Sequence, residues 1–167
     1  ELAKLSVNDL KRYKGIGEAK AVSIISALEL GRRRKETDPI KKDKIVSSKD
    51  IYDLMRPHLL DLPHEEFWVV LLNRANIVLK KVAVSVGGIS GTVADPRLIF
   101  KVALENMASA VILVHNHPSG NSKPSDADLV ITRKMKEAGK LLEIPVLDHL
   151  IFTDSEYYSF ADEGRFS

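Results

Sequence analysis

The sequence predicts an α/β fold: a mixed β-sheet flanked by helices, preceded by a small all-α segment. Three observations point there. Strand-length apolar runs at 67–73, 76–86, 109–114 and 146–152 alternate with helix-like stretches, the order of a sheet covered by helices. The run at 109–114 (SAVILV) is continuously apolar, as in a strand buried on both faces. Charge divides the chain: residues 1–44 hold 12 Lys/Arg against 7 Asp/Glu, a net of +5, while 45–167 hold 13 against 16, a net of −3.

In the head, residues 8–14 read as a short helix. Gly15-Ile16-Gly17 follows, then a helical pattern to about residue 33 in which Ala19, Val22, Ile25 and Leu28 recur near helical spacing. Residues 32–44 are charged, contain Pro39 and lack periodicity, which marks a linker. The organisation expected is therefore 1–35 as a helical segment, 36–47 as a charged linker and 48–167 as the body. The chain opens with Glu1 inside a helix-like pattern, so an N-terminal truncation is expected.

In the body, Ser48 is the expected cap of a helix over 49–59. The runs at 67–73 and 76–86 pair as a hairpin turning at Asn73-Arg74-Ala75-Asn76. Gly87-Gly88-Ile89-Ser90-Gly91 reads as a flexible loop. Asp95-Pro96 supplies an N-cap and a proline at the first helical position, opening a helix to about 107. A polar loop at 115–124 leads to Ser125, the cap of a long helix to about 142. Strands at 146–152 and 157–160 close the chain.

Composition narrows the chemistry. At 44% hydrophobic and 29% charged, this is a soluble globular chain without an apolar run long enough to span a membrane. Cysteine is absent, so a metal would rest on His, Asp or Glu. These features and the lack of a signal peptide lead to an expected cytoplasmic location.

His115-Asn116-His117 sits at the end of the apolar strand, and Asp128 follows in the first turn of the next helix. Side chains two residues apart in extended chain leave on the same side, so both imidazoles can reach one ion. Catalytic zinc keeps three protein ligands and one open position. Ser125-Asp126-Ala127-Asp128 equally fits a capping box, in which Asp128 serves only the helix N-terminus. A hydrolytic zinc site also needs a base. Glu65 and Glu66 stand at the entrance of the first long strand and point to opposite faces, so only one can face the site.

The run His115-Asn116-His117-Pro118-Ser119-Gly120, with Pro124-Ser125 and Asp128, resembles the JAMM (MPN+) motif, and most closely the RadC family. The similarity extends to Glu65-Glu66-Phe67, Asp95-Pro96-Arg97 and Leu147-Asp148-His149-Leu150-Ile151, covering about 45–167. The resemblance implies a JAB/MPN fold, cytidine-deaminase-like in its layering. It implies one zinc ion per chain held by His115, His117 and Asp128, with Glu65 rather than Glu66 as base. Ser125 would donate to the attacking water or to the oxyanion. The activity implied is that of a metallopeptidase on a peptide or isopeptide bond, its partner an unidentified protein or peptide. Where many relatives carry His-Pro-Arg-Glu, this chain has Asp95-Pro96-Arg97-Leu98, outside the metal motif.

The head resembles a helix-hairpin-helix. Glycines bring backbone N–H groups to a helix start, where they can hold a phosphate, and basic side chains add attraction to nucleic acid. Lys14, Gly15, Gly17 and Lys20 are the candidate residues for weak, non-specific DNA contact through 1–35. Two other functions compete with the peptidase: a metal-dependent nuclease or DNA-processing factor, and a non-catalytic DNA-binding scaffold. The body's negative charge disfavours a phosphodiester substrate. Zinc deaminases use cysteine ligands that this chain lacks.

Overall fold

The computed structural model describes residues 5–36, 43–86 and 94–165. Two compact units emerge, residues 1–41 and 42–167. The loop expected at 87–91 lies outside the described residues, as does half of the expected linker, 37–42. Among the described residues no helix is long and apolar enough to cross a membrane.

The first unit contains α1 (Val7–Leu10) and α2 (Glu18–Glu36). Helix α1 is shorter than the expected 8–14. Ser6 and Asp9 form a capping box that starts it, and the chain leaves helical geometry after Leu10 for turns bonded Tyr13 to Leu10 and Ile16 to Tyr13. Gly15, at φ +87°, takes the left-handed conformation that reverses the chain.

The second unit is a five-stranded mixed sheet in the order β2-β1-β3-β4-β5. Its strands are β1 (Glu66–Leu72), β2 (Val78–Val86), β3 (Ala110–Asn116), β4 (Val146–Phe152) and β5 (Tyr157–Ser159). Only β3 and β4 run parallel; the other neighbours are antiparallel. The hairpin turns where expected: the Asn73 side-chain oxygen accepts from the Ala75 and Ile77 amides, and Asn76 adopts φ +56°. Residues 43–45 belong to this unit rather than to the linker. Lys44 bridges to Ile77, and Ile45 is buried in the core.

Three helices cover the sheet: α3 (Ser48–Leu59), α4 (Pro96–Glu105) and α5 (Asp126–Leu141). The cap of α3 is Ser47, one residue before the expected Ser48. Asp50, three residues on, accepts from the Ser47 amide and completes a capping box. Ser48 instead donates to Asp162 at 2.5 Å.

Two cores lie on opposite faces of the sheet. Phe67, Val69, Leu71, Val111 and Leu113 face residues of α4 and α5, such as Ile99, Phe100 and Met135. Val70, Leu72, Ile112, Val114, Leu150 and Phe152 face α3 through Ile51, Met55 and Leu59. This is the period-two alternation of strands buried on both faces. It assigns odd-numbered residues of β3 to the α5 face, and His115 continues that series.

Candidate metal centre

Strand β3 runs through Asn116, two residues past the expected end, so His115 sits inside the last backbone pairs of the sheet, opposite Phe67 and Ile151. Helix α5 begins at its cap Ser125, and Asp128 is its third residue. The loop at 117–124 folds the helix start back over the strand end. As a result His115 Nε2 lies 2.9 Å from His117 Nε2 and 3.1 Å from Asp128 Oδ1. His117 Nε2 lies 3.6 Å from Asp128 Oδ2. Among the described residues these three are the one group of His, Asp or Glu side chains able to hold a metal ion.

Hydrogen bonds at the back of each ring decide what faces the centre. The Asn121 carbonyl, 2.7 Å from His117 Nδ1, can only accept, so neutral His117 carries its proton on Nδ1 and presents a lone pair at Nε2. Behind His115 the chain is longer. Thr132 Oγ1 donates to the Asp128 carbonyl and lies 2.6 Å from His149 Nδ1, which must therefore be the donor to it. Neutral His149 then accepts at Nε2 from His115 Nδ1, 2.9 Å away. That leaves His115 also with a lone pair at Nε2. In the neutral rings two lone pairs and a carboxylate thus converge on one point, a donor set that attracts a cation, whether a metal ion or a proton. Bonds of about 2.0–2.1 Å in a tetrahedron would set ligand atoms about 3.3 Å apart, within the spread found here.

Electrostatics agree. Burial raises the pKa of Asp128, but hydrogen bonds and charge from His115 and His117, with Ser125, outweigh it and hold the carboxyl far below the usual range. Burial lowers that of His117, yet Asp128, the Asn121 carbonyl and the Glu65 carboxylate together carry it above its ordinary value. His149, fully enclosed, is driven well below 6.5, first by desolvation and then by the neighbouring His115. Phe67 stacks on His115 with ring centres 5.7 Å apart, and Phe160 on His149 at 5.1 Å, walling the pair from water.

The family model for the RadC-like JAB domain matches residues 45–165. This chain belongs to the RadC-like JAB domain family. A UPF0758 protein of Flavobacterium johnsoniae is 57% identical over 165 residues, 99% of this chain and 72% of that protein. One from Staphylococcus haemolyticus is 45% identical, over 99% and 73% of the two chains. One from Porphyromonas gingivalis is 43% identical, over 98% and 73%. The mixed sheet with helices on both faces is the architecture of the JAB/MPN fold.

In this RadC-like JAB domain the two entrance glutamates separate as strand alternation requires. Glu66 accepts from Trp68 Nε1 at 2.8 Å and pairs with His64 at 3.0 Å, on the α3 face. Strand alternation carried one residue before β1 assigns Glu65 to the other face. Continuing the Phe67–His115 register by two residues sets it opposite His117, whose charged form it stabilises. Ser125 donates to Asp128 Oδ2 at 2.6 Å and accepts from the Asp128 amide at 3.2 Å. Asp128 thus completes a capping box and also faces the two histidines.

Two further residues stand behind the ligands: Thr132, for which no role was expected, and His149, expected together with Asp148 to make at most a hydrogen bond behind the ligands or at a sheet edge. Thr132, four residues after Asp128, shares its helix face, and that spacing was the available signal. His149 reaches the site through a β-bulge: the register slips between Val111 and Ile112, after which His149 rather than Asp148 faces α5. Asp148 turns the other way, accepting from Ser159 Oγ at 2.6 Å and from the Ala161 amide at 2.9 Å.

In the N-terminal unit, Lys14, Gly15, Gly17 and Lys20 are all exposed. Lys20 Nζ donates to the Gly15 carbonyl at 3.1 Å, and Lys11 pairs with Glu18 at 3.4 Å.

Proposed function

We propose that the domain is a zinc-dependent hydrolase of the JAMM type that cuts a peptide or isopeptide bond. The convergence of the His115 and His117 lone pairs with the Asp128 carboxylate carries this reading. Neutral imidazole and carboxylate without thiolate suit zinc. When bound, the ion would lower the pKa of a coordinated water and polarise a carbonyl. The protein's own groups do the rest. Glu65, opposite His117, takes a proton from the attacking water and returns it to the leaving amine. Ser125 donates toward the developing oxyanion once its hydroxyl is released from Asp128, and loss of such a donor costs on the order of 10²–10³ in rate. Phe67 and Phe160 keep solvent from the rear of the imidazoles.

Protein purified without chelators should hold about one zinc per chain. On a mixed peptide pool, Glu65→Gln should keep the metal and lose about 10²–10⁴ in rate, whereas His117→Ala should lose both metal and rate. Wild-type hydrolysis by metal-free His117→Ala would end the proposal.

A second reading concerns the head. The net charge of +5 over residues 1–44 and the left-handed Gly15 turn favour weak, non-specific contact with DNA through 1–35, centred on Lys14, Gly15, Gly17 and Lys20. Binding of the chain to duplex DNA should weaken steeply as salt rises, and more gradually after Lys14→Ala and Lys20→Ala together. A nuclease assay on the Glu65 and His117 variants separates a DNA-processing role from a peptidase.

A further inference from the structure

The residue between the two histidines has a separate connection. Asn116 is 3% exposed, and by strand alternation it leaves β3 on the face away from His115 and His117. Its side-chain amide bridges to the entrance of β1. Asn116 Oδ1 accepts from the Glu66 N–H at 2.7 Å, and Asn116 Nδ2 donates to the His64 carbonyl at 3.0 Å. Paired residues of β1 and β3 stop at Phe67 and His115, so this amide takes over where the ladder ends.

The geometry of those two bonds is specific to Glu65. The His64 carbonyl belongs to the peptide plane before the Glu65 Cα, and the Glu66 N–H to the plane after it. Each plane is rigid, and only φ and ψ of Glu65 join them. Holding one group on each plane fixes both angles and so the direction of the Glu65 Cα–Cβ bond. The Glu66 side chain is tied to Trp68 and His64, which anchors the same turn from the α3 face.

We propose that Asn116 is a positioning residue that aims the Glu65 carboxylate at the metal centre. It would make the His-x-His segment supply both the ligands and the orientation of the base. This rests on Glu65 acting as the base. The proposal separates two properties that share one tripeptide: removing the Asn116 amide should disturb Glu65 while leaving the donor set of His115, His117 and Asp128 in place.

The test uses the whole chain loaded with cobalt(II) or zinc and compares Asn116→Ala, Glu65→Gln and the double variant. Asn116→Ala should bind metal within about threefold of wild type in chelator competition. Its amide exchange at 64–66 should quicken by about tenfold or more, since a partly buried bond that closed the segment is gone. The cobalt absorption spectrum should move as it does in Glu65→Gln. On the mixed peptide pool kcat should fall about 10²-fold, with KM within about twofold. Added to Glu65→Gln, the substitution should cost less than about threefold, because both changes remove one function. Asn116→Asp, equal in volume, keeps the acceptor for Glu66 and loses the donor to His64. It should fall between wild type and Asn116→Ala, and it covers the case in which the alanine variant fails to fold.

Wild-type exchange and rate in Asn116→Ala, full additivity with Glu65→Gln, or collapse of metal affinity would each overturn the proposal. Wild-type hydrolysis by Glu65→Gln would instead overturn the assignment of the base, and this inference with it.

Discussion

Thr132→Val removes one hydroxyl at nearly constant volume and tests the hydrogen-bond chain behind His115. The Asp128 carbonyl keeps its helical amide partner, so the group left stranded is the His149 Nδ1–H, in a residue that is fully buried. One unsatisfied buried donor costs about 1–3 kcal/mol. For a chain of this size that corresponds to a fall in Tm of about 2–4 °C per kcal/mol. The larger consequence lies at the centre. Without Thr132, His149 can move its proton to Nε2 and donate to His115 Nδ1. His115 must then carry its own proton on Nε2, where it closes the lone pair that faces Asp128. Losing a partner behind a ligating histidine typically costs 10–100-fold in metal affinity, about 1.4–2.7 kcal/mol. Competition against a chromophoric chelator measures the affinity, and thermal melts with and without metal measure stability. Thr132→Ser, which retains the hydroxyl, should bind metal nearly as wild type does. If Thr132→Val melts early yet binds metal within twofold of wild type, the hydrogen-bond chain does not govern the His115 lone pair and the reasoning fails.

Other outcomes follow from the same geometry. Metal binding needs neutral His117, whose pKa lies above its ordinary 6.5. Affinity should therefore be flat above that raised value and fall about tenfold per pH unit below it, in chelator competition from pH 6 to 8.5. In metal-free protein the signs differ by residue. The stabilisation from His117 is complete below 6.5 and lost as pH rises through its folded value. That from Asp128 is present above 3.8 and lost as pH falls toward its depressed value. Buried neutral His149 contributes above 6.5 and loses that contribution as pH falls below it, so acid melts of His149→Gln should show a shallower decline between pH 6.5 and 5. Gly139→Ala should destabilise the fold by about 1–3 kcal/mol in urea melts, because its Cβ would meet the Ile144 carbonyl at 2.6 Å, with Phe100 and Val146 close behind. A melt unchanged by Gly139→Ala would show that α5 can withdraw from β4 at little cost.

Strands and helices were legible wherever local pattern and burial agree. The run at 109–114 is apolar at every position because β3 is covered on both faces, and Asp95-Pro96 starts α4 because a cap and a proline meet the needs of a helix N-terminus. Within the body, local rivals shift boundaries by a residue or two. Ser47 and Ser48 are adjacent candidates, and only the position of Asp50 chooses between them. Strand β3 continues two residues past its apolar run because His115 and Asn116 are buried with hydrogen-bond partners that lie far away in the sequence.

The His-x-His pair, the later aspartate and the paired glutamates were readable as chemistry, because donor type and spacing are properties of the chain itself. Which groups stand behind them was not. His149 faces the site because one bulge in the β3–β4 ladder reverses its parity, and a register slip leaves no mark in local composition. Thr132 matters because its helix lies against that strand, and Asn116 because its amide meets a strand from fifty residues earlier. Sequence alone determined the donors and the elements that carry them, since both depend on neighbours a few residues apart. Tertiary structure decided the lone pairs, the partner of each ring and the face each glutamate takes, since these depend on hydrogen bonds between segments that meet only in the folded sheet.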